Sequence, residues 1–246
     1  AMDEDKVATD KLYSLLQLWP TQRDVEILQG YEGDKAVLAI ADCFLLELLQ
    51  LPHVEQTMQC FLFKCQLCGS MEDVDANVAL LQRACTEVKE SRALARVLTL
   101  ALKMGNVLNQ GKRTGAAGGI ALSSLAKFKD TKSADNKTNL LRHLAAVLVR
   151  KHDEQWIGKF GGSMPSLSTA AYVSMADVAA DVREMSRGLK ECAALLRNAA
   201  TANSSGSTSP VGFVEKLSSF HSTSSASLEA LQTKIASASS QFEQLC

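Results

Sequence analysis

Apolar side chains recur with the spacing of an α-helix along almost the whole chain. The first apolar stripe covers residues 12–19, and Thr21 with Asp24 follows at the spacing that caps a second helix. Asp34 is placed to start a strongly apolar helix that ends before Pro52. No segment shows the clear two-residue alternation of a β-strand, so the pattern predicts an all-α fold.

The same periodicity divides the middle of the chain into three further helices. We expect the first over residues 53–68 and a break after it, because Ser70 and Asp73 are spaced to cap the second. The third should run from Ser91 toward Asn109. The predicted starts of the second and third helices therefore depend on a short polar side chain that can bind free backbone N–H groups.

The helical pattern stops after residue 109. Residues 110–119 contain four glycines and predict a loop. The remaining predicted segments are a short apolar turn at 120–125, a basic loop from Lys127 to Lys137, a helix at 138–151, a loop around Gly158–Pro165, a long helix from Ser174 to Ala202, a flexible break at 204–210 and an amphipathic helix over the last 35 residues.

Composition agrees with a helical chain that has a real apolar core. Of 246 residues, 46% are hydrophobic and only 4 are proline, which excludes wholesale disorder and favours helix over a β-sandwich. No apolar run is long enough for a bilayer span, and the chain opens without a signal-peptide pattern. The sequence predicts no membrane association and a cytoplasmic location.

The seven cysteines and four histidines give no sign of a metal site. Cys65 and Cys68 form a single CxxC within a helical pattern, and no second CxxC follows. We expect both to be small buried core residues rather than a redox pair or zinc ligands. The sequence also lacks a nucleophile elbow and a phosphate-binding loop, so it predicts no catalytic residues, no metal and no cofactor.

Charge is distributed unevenly, although the net charge is only −1. Residues 1–60 carry 4 basic and 11 acidic side chains, a balance of −7. Residues 103–137 carry 7 basic and 2 acidic side chains, a balance of +5. Such asymmetry indicates a charged partner rather than a particular fold.

The basic middle segment also contains the most distinctive polar residues. Asn106 and Asn109 lie three residues apart, on one face of the helix that ends there. Their amides could satisfy the free carbonyls of the helix end, or they could bind the backbone of an extended peptide. Lys127, Lys129 and Lys132 could belong to an ordinary solvated loop or to a site for an acidic partner, and physics alone slightly favours the solvated loop.

These residues also occur in an order that resembles the signature of the actin-assembling formin homology two domain. The likeness covers nearly the whole chain and is weakest over 152–210. It is carried by Trp19-Pro20-Thr21, Tyr31-Glu32-Gly33-Asp34, Phe61-x-Phe63-Lys64, Gly105-Asn106-Val107-Leu108-Asn109-x-Gly111-x-Arg113-x-Gly115, Gly119-Ile120-x-Leu122-Ser123-Ser124-Leu125-x-Lys127-Phe128-x-Asp130-Thr131-Lys132-Ser133 and Phe213-Val214-x-Lys216-Leu217.

The resemblance implies an all-α, elongated multi-helix rod with knob, coiled-coil or three-helix, and post subdomains. It divides the chain into a partial knob running into coiled-coil helices at 1–69, coiled-coil helices at 70–104, a post at 105–170 and long C-terminal helices returning along the rod at 171–246. It implies a post surface that binds actin and the lasso segment of a second copy, made of Gly105, Asn106, Asn109, Gly111, Arg113, Gly119, Ala121, Lys127, Lys129 and Lys132.

The function implied by the resemblance is non-enzymatic. Domains of this family nucleate actin filaments and remain at growing barbed ends as ring-shaped dimers, on the actin cytoskeleton. The alternative is a helical scaffold or dimerisation module of a divergent formin with weak or no assembly activity. Nucleic-acid binding is a weaker interpretation, because Phe128 is the one aromatic residue in the basic segment and offers no stacking platform.

Two departures from the family pattern alter these expectations. The chain begins within the knob-like region, without counterparts of the lasso, the linker and the first knob helix, so we expect a monomer or a non-native dimer. The family motif Gly-Phe-Lys-Leu-Ser here reads Gly119-Ile120-Ala121-Leu122-Ser123, with Ala121 at the place of a lysine that the family uses against actin.

Overall fold

The structure is a computed structural model that describes residues 8–112, 115–133, 136–151, 154–204 and 212–245. Within these ranges the chain forms α-helices and no β-strand, which confirms the predicted all-α fold. An isolated antiparallel β-bridge joins Lys132 and Asn139. Among the described helices, none combines the length and apolarity that a membrane span requires.

The described residues contain eleven α-helices and one short 3-10 helix at Lys35–Val37. In chain order the α-helices are α1 Thr9–Gln17, α2 Gln22–Gln29, α3 Ile40–Leu49, α4 Val54–Glu90, α5 Arg92–Leu108, α6 Ser123–Asp130, α7 Leu140–Lys151, α8 Glu154–Gly162, α9 Leu167–Ala170, α10 Met175–Ser204 and α11 Phe213–Glu243.

Two predicted helix starts are confirmed by their hydrogen bonds. At α2, the backbone N–H of Asp24 donates to Thr21 Oγ1, and the N–H of Thr21 donates to Asp24 Oδ2, which together form a capping box. Hydrogen bonds from the side chain and backbone of Thr21 lower the pKa of the Asp24 carboxyl group. At α5, Ser91 Oγ accepts from the N–H of Leu94 at 3.1 Å.

The predicted break between residues 68 and 73 is wrong, because α4 is continuous through it. Ser70 does not cap a helix there, since its hydroxyl donates to the carbonyl of Gln66 at 3.1 Å within the same helix. Leu67 and Val74 on either side are 3% and 2% exposed. Burial of these side chains outweighs the local capping signal.

Two other predictions of where helices begin and end also differ from the structure. Asp34 starts the 3-10 helix, where its carboxylate accepts from the N–H of Ala36, and α3 begins only at Ile40. The predicted loop around Gly158–Pro165 is largely the helix α8. The helix is favoured because Trp156 packs against a buried cluster and stacks on Phe160 at 6.0 Å.

The helices fall into two compact units, of which the first comprises Ala1–Asp75 and Ala176–Thr233. Its core joins α1, the first part of α4, α10 and α11 through Leu12, Cys60, Phe61, Cys192, Leu195, Phe213 and Leu217. A hydrogen bond between the two thiols lowers the pKa of Cys60 and, together with burial, raises the pKa of Cys192. Both thiols therefore belong to the packed interior of this unit.

The expectation for the CxxC pair is only partly correct. Cys65 is half-buried and packs against the first unit's core. Cys68 is exposed, and its Sγ donates to Glu72 Oε1 at 3.5 Å. Of the pair, Cys65 therefore packs among the helices of the first unit, and Cys68 lies at the surface.

The second unit comprises Ala76–Met175 and Lys234–Cys246. Its core is built by α5, α6 and α7 around Ala101, Phe128, Leu144 and Leu148. A polar contact ties residue 166, just before α9, to α4, because the Glu87 carboxylate accepts from both the N–H and the hydroxyl of Ser166 at 2.9 and 2.8 Å. The division into two units does not test the predicted subdomain boundaries at residues 69, 104 and 170, which stay predictions.

The packing of α4 against α10 leads to a stability prediction. A Cβ at Gly188 on α10 would lie 2.3 Å from the ring of Phe63, whereas a Cβ at Gly69 on α4 would meet nothing within 4 Å. Gly188→Ala should lower the free energy of unfolding by about 1–3 kcal/mol through overpacking. Gly69→Ala should raise it by about 0.5–1 kcal/mol, because alanine is the better helix former. Chemical denaturation measures both.

The matched pair separates packing from helix propensity. Combining Gly188→Ala with Phe63→Leu should recover part of the lost stability, since the smaller side chain leaves room for the added methyl group. Equal stabilisation by both glycine substitutions would contradict the close contact between α4 and α10.

Candidate partner-binding surface

The end of α5 is joined to the following loop by the side chain of Asn106. Asn106 Nδ2 donates to the carbonyl of Ala117 at 3.0 Å, and the N–H of Ala117 donates to Asn106 Oδ1 at 3.1 Å. The amide thus pairs with both backbone polar groups of one residue, as a residue of a neighbouring antiparallel strand would. Of the two roles considered for the asparagines, the Asn106 amide does bind a backbone, and that backbone belongs to the loop of its own chain.

The backbone of Asn109 forms the hydrogen bonds at the C-terminal end of α5. Its N–H donates to the carbonyl of Gly105 at 3.0 Å, and its carbonyl accepts from the N–H of Lys112 at 2.9 Å. A Cβ at Gly115 would lie 2.3 Å from the carbonyl oxygen of Asn109, so this close approach requires glycine. Gly111 has φ = +83°, a conformation that other residues rarely adopt.

Three predicted lysines surround the junction between α6 and α7. Lys127 and Lys129 lie in the last turn of α6, and Lys132 follows in the bridge with Asn139; all three are exposed. The expectation of a loop from residue 127 is therefore wrong for the first two. Phe128 between them is 7% exposed and holds the helix against α5 and α7.

The described residues of the junction between α6 and α7, 131–133 and 136–139, form hydrogen bonds with one another and with the start of α7. The N–H of Leu140 donates to the carbonyl of Thr131 at 2.8 Å, and the N–H of Ser133 donates to that of Thr138 at 2.9 Å. Asn139 Oδ1 then accepts from the N–H of Arg142 at 2.9 Å and caps α7. Lys132 is consequently displayed from a fixed backbone.

The other predicted site residues are placed as follows. Gly119 and Ala121 are exposed between the loop and α6, and Gly105 is half-buried on α5. A Cβ at Gly105 or Gly119 would meet nothing within 4 Å, so packing inside the chain does not require glycine there. Arg113 lies outside the described residues.

Sequence reasoning missed two exposed apolar side chains beside Asn106. Val107 and Leu108 are 70% and 57% exposed. They follow the residues of α5 that contribute to the second unit's core, which include Leu100, Ala101 and Met104. Val107 and Leu108 continue this buried stripe at helical spacing, so periodicity alone predicts both as core residues and no sequence pattern marks their exposure.

Comparison with known proteins identifies the family. The model of the Formin Homology 2 Domain matches residues 1–246, so the chain belongs to this family. It is 30% identical to formin-like protein 5 of Oryza sativa subsp. japonica over 235 residues, which are 95% of this chain and 14% of that protein. It is 32% identical to formin-like protein 3 of the same plant over 231 residues, 94% of this chain and 18% of that protein.

A relative from another plant shows a similar likeness over a shorter part. Formin-like protein 20 of Arabidopsis thaliana is 32% identical over 191 residues, which are 78% of this chain and 12% of that protein. The chain thus spans less than a fifth of the length of these three relatives. The predicted membership of the formin family is confirmed.

The pairing of Asn106 with Ala117 leads to a prediction about local stability. Asn106→Ala removes both hydrogen bonds, each worth about 0.5–1.5 kcal/mol, so amide exchange at Ala117 should accelerate about tenfold. Asn106→Asp keeps an acceptor and loses the donor, and should give an intermediate rate. Hydrogen exchange followed by NMR measures the effect at single residues.

Asn109→Ala is the matched control, since the hydrogen bonds described for Asn109 use its backbone. It should leave the exchange rate of Ala117 nearly unchanged. If the two alanine variants accelerated exchange equally, the loop would not depend on the Asn106 amide.

Proposed function

We propose that this chain is a non-enzymatic actin-binding module of a formin, which nucleates actin filaments and stays at growing barbed ends as a dimer. The observation that carries the proposal is the position of the formin-like signature: its residues Phe128 and Leu144 belong to the core of the second unit, and its lysines at 127, 129 and 132 are exposed. The activity makes and breaks no covalent bond, so it needs no catalytic residue or cofactor. We place the protein in the cytoplasm, on the actin cytoskeleton.

Electrostatics support an actin contact at the junction between α6 and α7. Lys127, Lys129 and Lys132 are exposed, and within the described residues no ion pair is found for them. Actin is acidic, and positive side chains that keep their charge uncompensated favour encounter with a negative surface. Each such exposed contact contributes modestly and weakens with salt.

The loop after α5 supports contact with a second copy. Open space around Gly105 and Gly119 allows another backbone to approach closely, and Val107 with Leu108 offers apolar area beside it. Because its amide is already bound to Ala117, Asn106 acts in this proposal by holding the loop in position. The partner segment would contact the outer side of that loop.

A helical scaffold with little assembly activity is the second candidate. It is favoured by Ala121, which stands exposed where the family commonly has a lysine. Nucleic-acid binding has less support, because Phe128, the aromatic residue of the basic segment, is buried and cannot stack on a base.

Charge reversal at the junction tests the leading proposal. Lys127→Glu combined with Lys132→Glu should weaken co-sedimentation with actin filaments about tenfold, because two attractive contacts become repulsive. Lys190→Glu with Lys216→Glu is the control, since it changes two exposed lysines on α10 and α11 by the same charge. Equal binding by both double variants would favour the scaffold.

Ala121→Lys tests the departure from the family motif. The added lysine would extend the positive surface that begins at Lys127, so affinity for filaments should rise a few-fold and depend more steeply on salt. Ala121→Gln lengthens the side chain without charge and should leave affinity nearly unchanged. The same gain from glutamine would show that size rather than charge matters at this position.

A further inference from the structure

The basic part of the chain extends on both sides of residues 103–137 and carries a larger positive charge than that segment alone. Residues 92–151 contain 12 Lys and Arg but only 2 Asp and Glu, in a chain whose net charge is −1. The helices α5 and α7 contain six of these cations and no acidic residue. An excess of this size, confined to one compact unit, points to a negatively charged partner.

Part of this charge lines a groove between α5 and α7. The groove has a volume of about 460 Å³, and its walls include Arg96, Thr99, Leu100, Lys103, Leu148 and Lys151. All of these belong to the second unit. We call it the basic groove, and it contains none of the lysines assigned to the proposed actin contact.

The cations stand at the rim of the basic groove. Arg96, Thr99 and Lys103 follow one another at helical spacing and share one face of α5, while Lys151 extends from the last turn of α7. Among the described residues, no acidic side chain lines the groove, and these three cations have no ion-pair partner. Their charge is therefore available to a ligand.

The floor of the basic groove is apolar. Leu100 is half-buried and Leu148 is 8% exposed, and both pack at the core formed by Ala101, Phe128 and Leu144. The hydroxyl of Thr99 donates to the carbonyl of Ala95 at 2.8 Å, so it is already engaged within α5. The groove thus combines a packed apolar floor with a positive rim.

We propose that the basic groove binds an acidic peptide segment that places one apolar side chain on Leu100 and Leu148 and its carboxylates near Arg96, Lys103 and Lys151. This site goes beyond the proposed actin contact and does not depend on it. Arginine binds carboxylates through two parallel hydrogen bonds, which gives such a peptide a defined orientation.

The shape and chemistry favour a peptide over other anions. A lipid headgroup would neutralise the cations but leave the apolar floor of a concave groove without a contact. A nucleic acid would need aromatic side chains for stacking, and none of the described residues that line the groove is aromatic. An acidic segment with an apolar anchor satisfies both the rim and the floor.

Fluorescence anisotropy with the whole 246-residue chain tests the proposal. The probe is a short fluorescein-labelled peptide with one leucine among glutamates, and a second probe replaces the glutamates by glutamine. The acidic probe should bind and lose affinity as salt is raised, and the glutamine probe should bind at least about tenfold more weakly. Equal binding of the two probes would overturn the proposal.

Arg96→Glu with Lys103→Glu should weaken binding of the acidic probe about tenfold. Arg183→Glu with Lys190→Glu on α10 is the matched control, because it changes the same residue types at the same spacing on another exposed helix face. The control should retain full binding, and circular dichroism should show that both variants stay helical. Equal losses in the two variants would show that only net charge matters and would exclude the groove as the site.

Two further titrations distinguish an acidic peptide from other anionic ligands. Vesicles of phosphatidylserine in phosphatidylcholine and a single-stranded oligonucleotide are titrated against the same variants. If the groove variant lost binding to either while keeping its affinity for the acidic peptide, the peptide assignment would be wrong. These measurements contain no actin, so their result is separate from that of the Lys127 and Lys132 experiment.

Discussion

Burial of Phe128 determines how the second unit presents its chemistry. The ring packs with Ala101 and Leu144, which joins α6 to α5 and α7 at one point. Because residues adjacent in a helix point about 100° apart, fixing Phe128 inward turns Lys127 and Lys129 toward solvent on either side of it. A side chain with no charge thereby decides where the positive charge is displayed.

The same core also orders the polar backbone around it. Once α5 is held in place, Asn106 can reach Ala117, and the bridge between Lys132 and Asn139 can close the junction before α7. Each of these contacts is weak by itself, because exposed neutral hydrogen bonds contribute little net stability. They act together because the buried cluster has already reduced the conformational freedom of their partners.

Local signals made part of this fold predictable from the sequence. The all-α class followed from periodicity, and the caps at Thr21 and Ser91 followed from side chains that bind N–H groups three residues away. The same kind of signal failed at Ser70, where burial of Leu67 and Val74 keeps α4 helical. Capping motifs describe what a residue can do locally, and tertiary packing decides whether it does so.

The candidate surface was predictable in composition but not in its contacts. The sequence placed the lysines and asparagines together, yet it left open whether the Asn106 amide serves the helix end or a more distant backbone. That choice depends on the path of the loop through Gly111 and Gly115, where a positive φ and a close approach decide the geometry. The basic groove was missed for a related reason: its cations lie on α5 and α7, some fifty residues apart in sequence.

The pairing of Asn106 with Ala117 also fixes the length of the chain between them. The two residues are eleven positions apart, and the turn at Gly115 already brings its backbone against the carbonyl of Asn109. An insertion or deletion in this interval would shift Ala117 out of register with the amide, although glycine-rich connections usually tolerate such changes. In related chains, this loop should therefore vary in residue type more readily than in length.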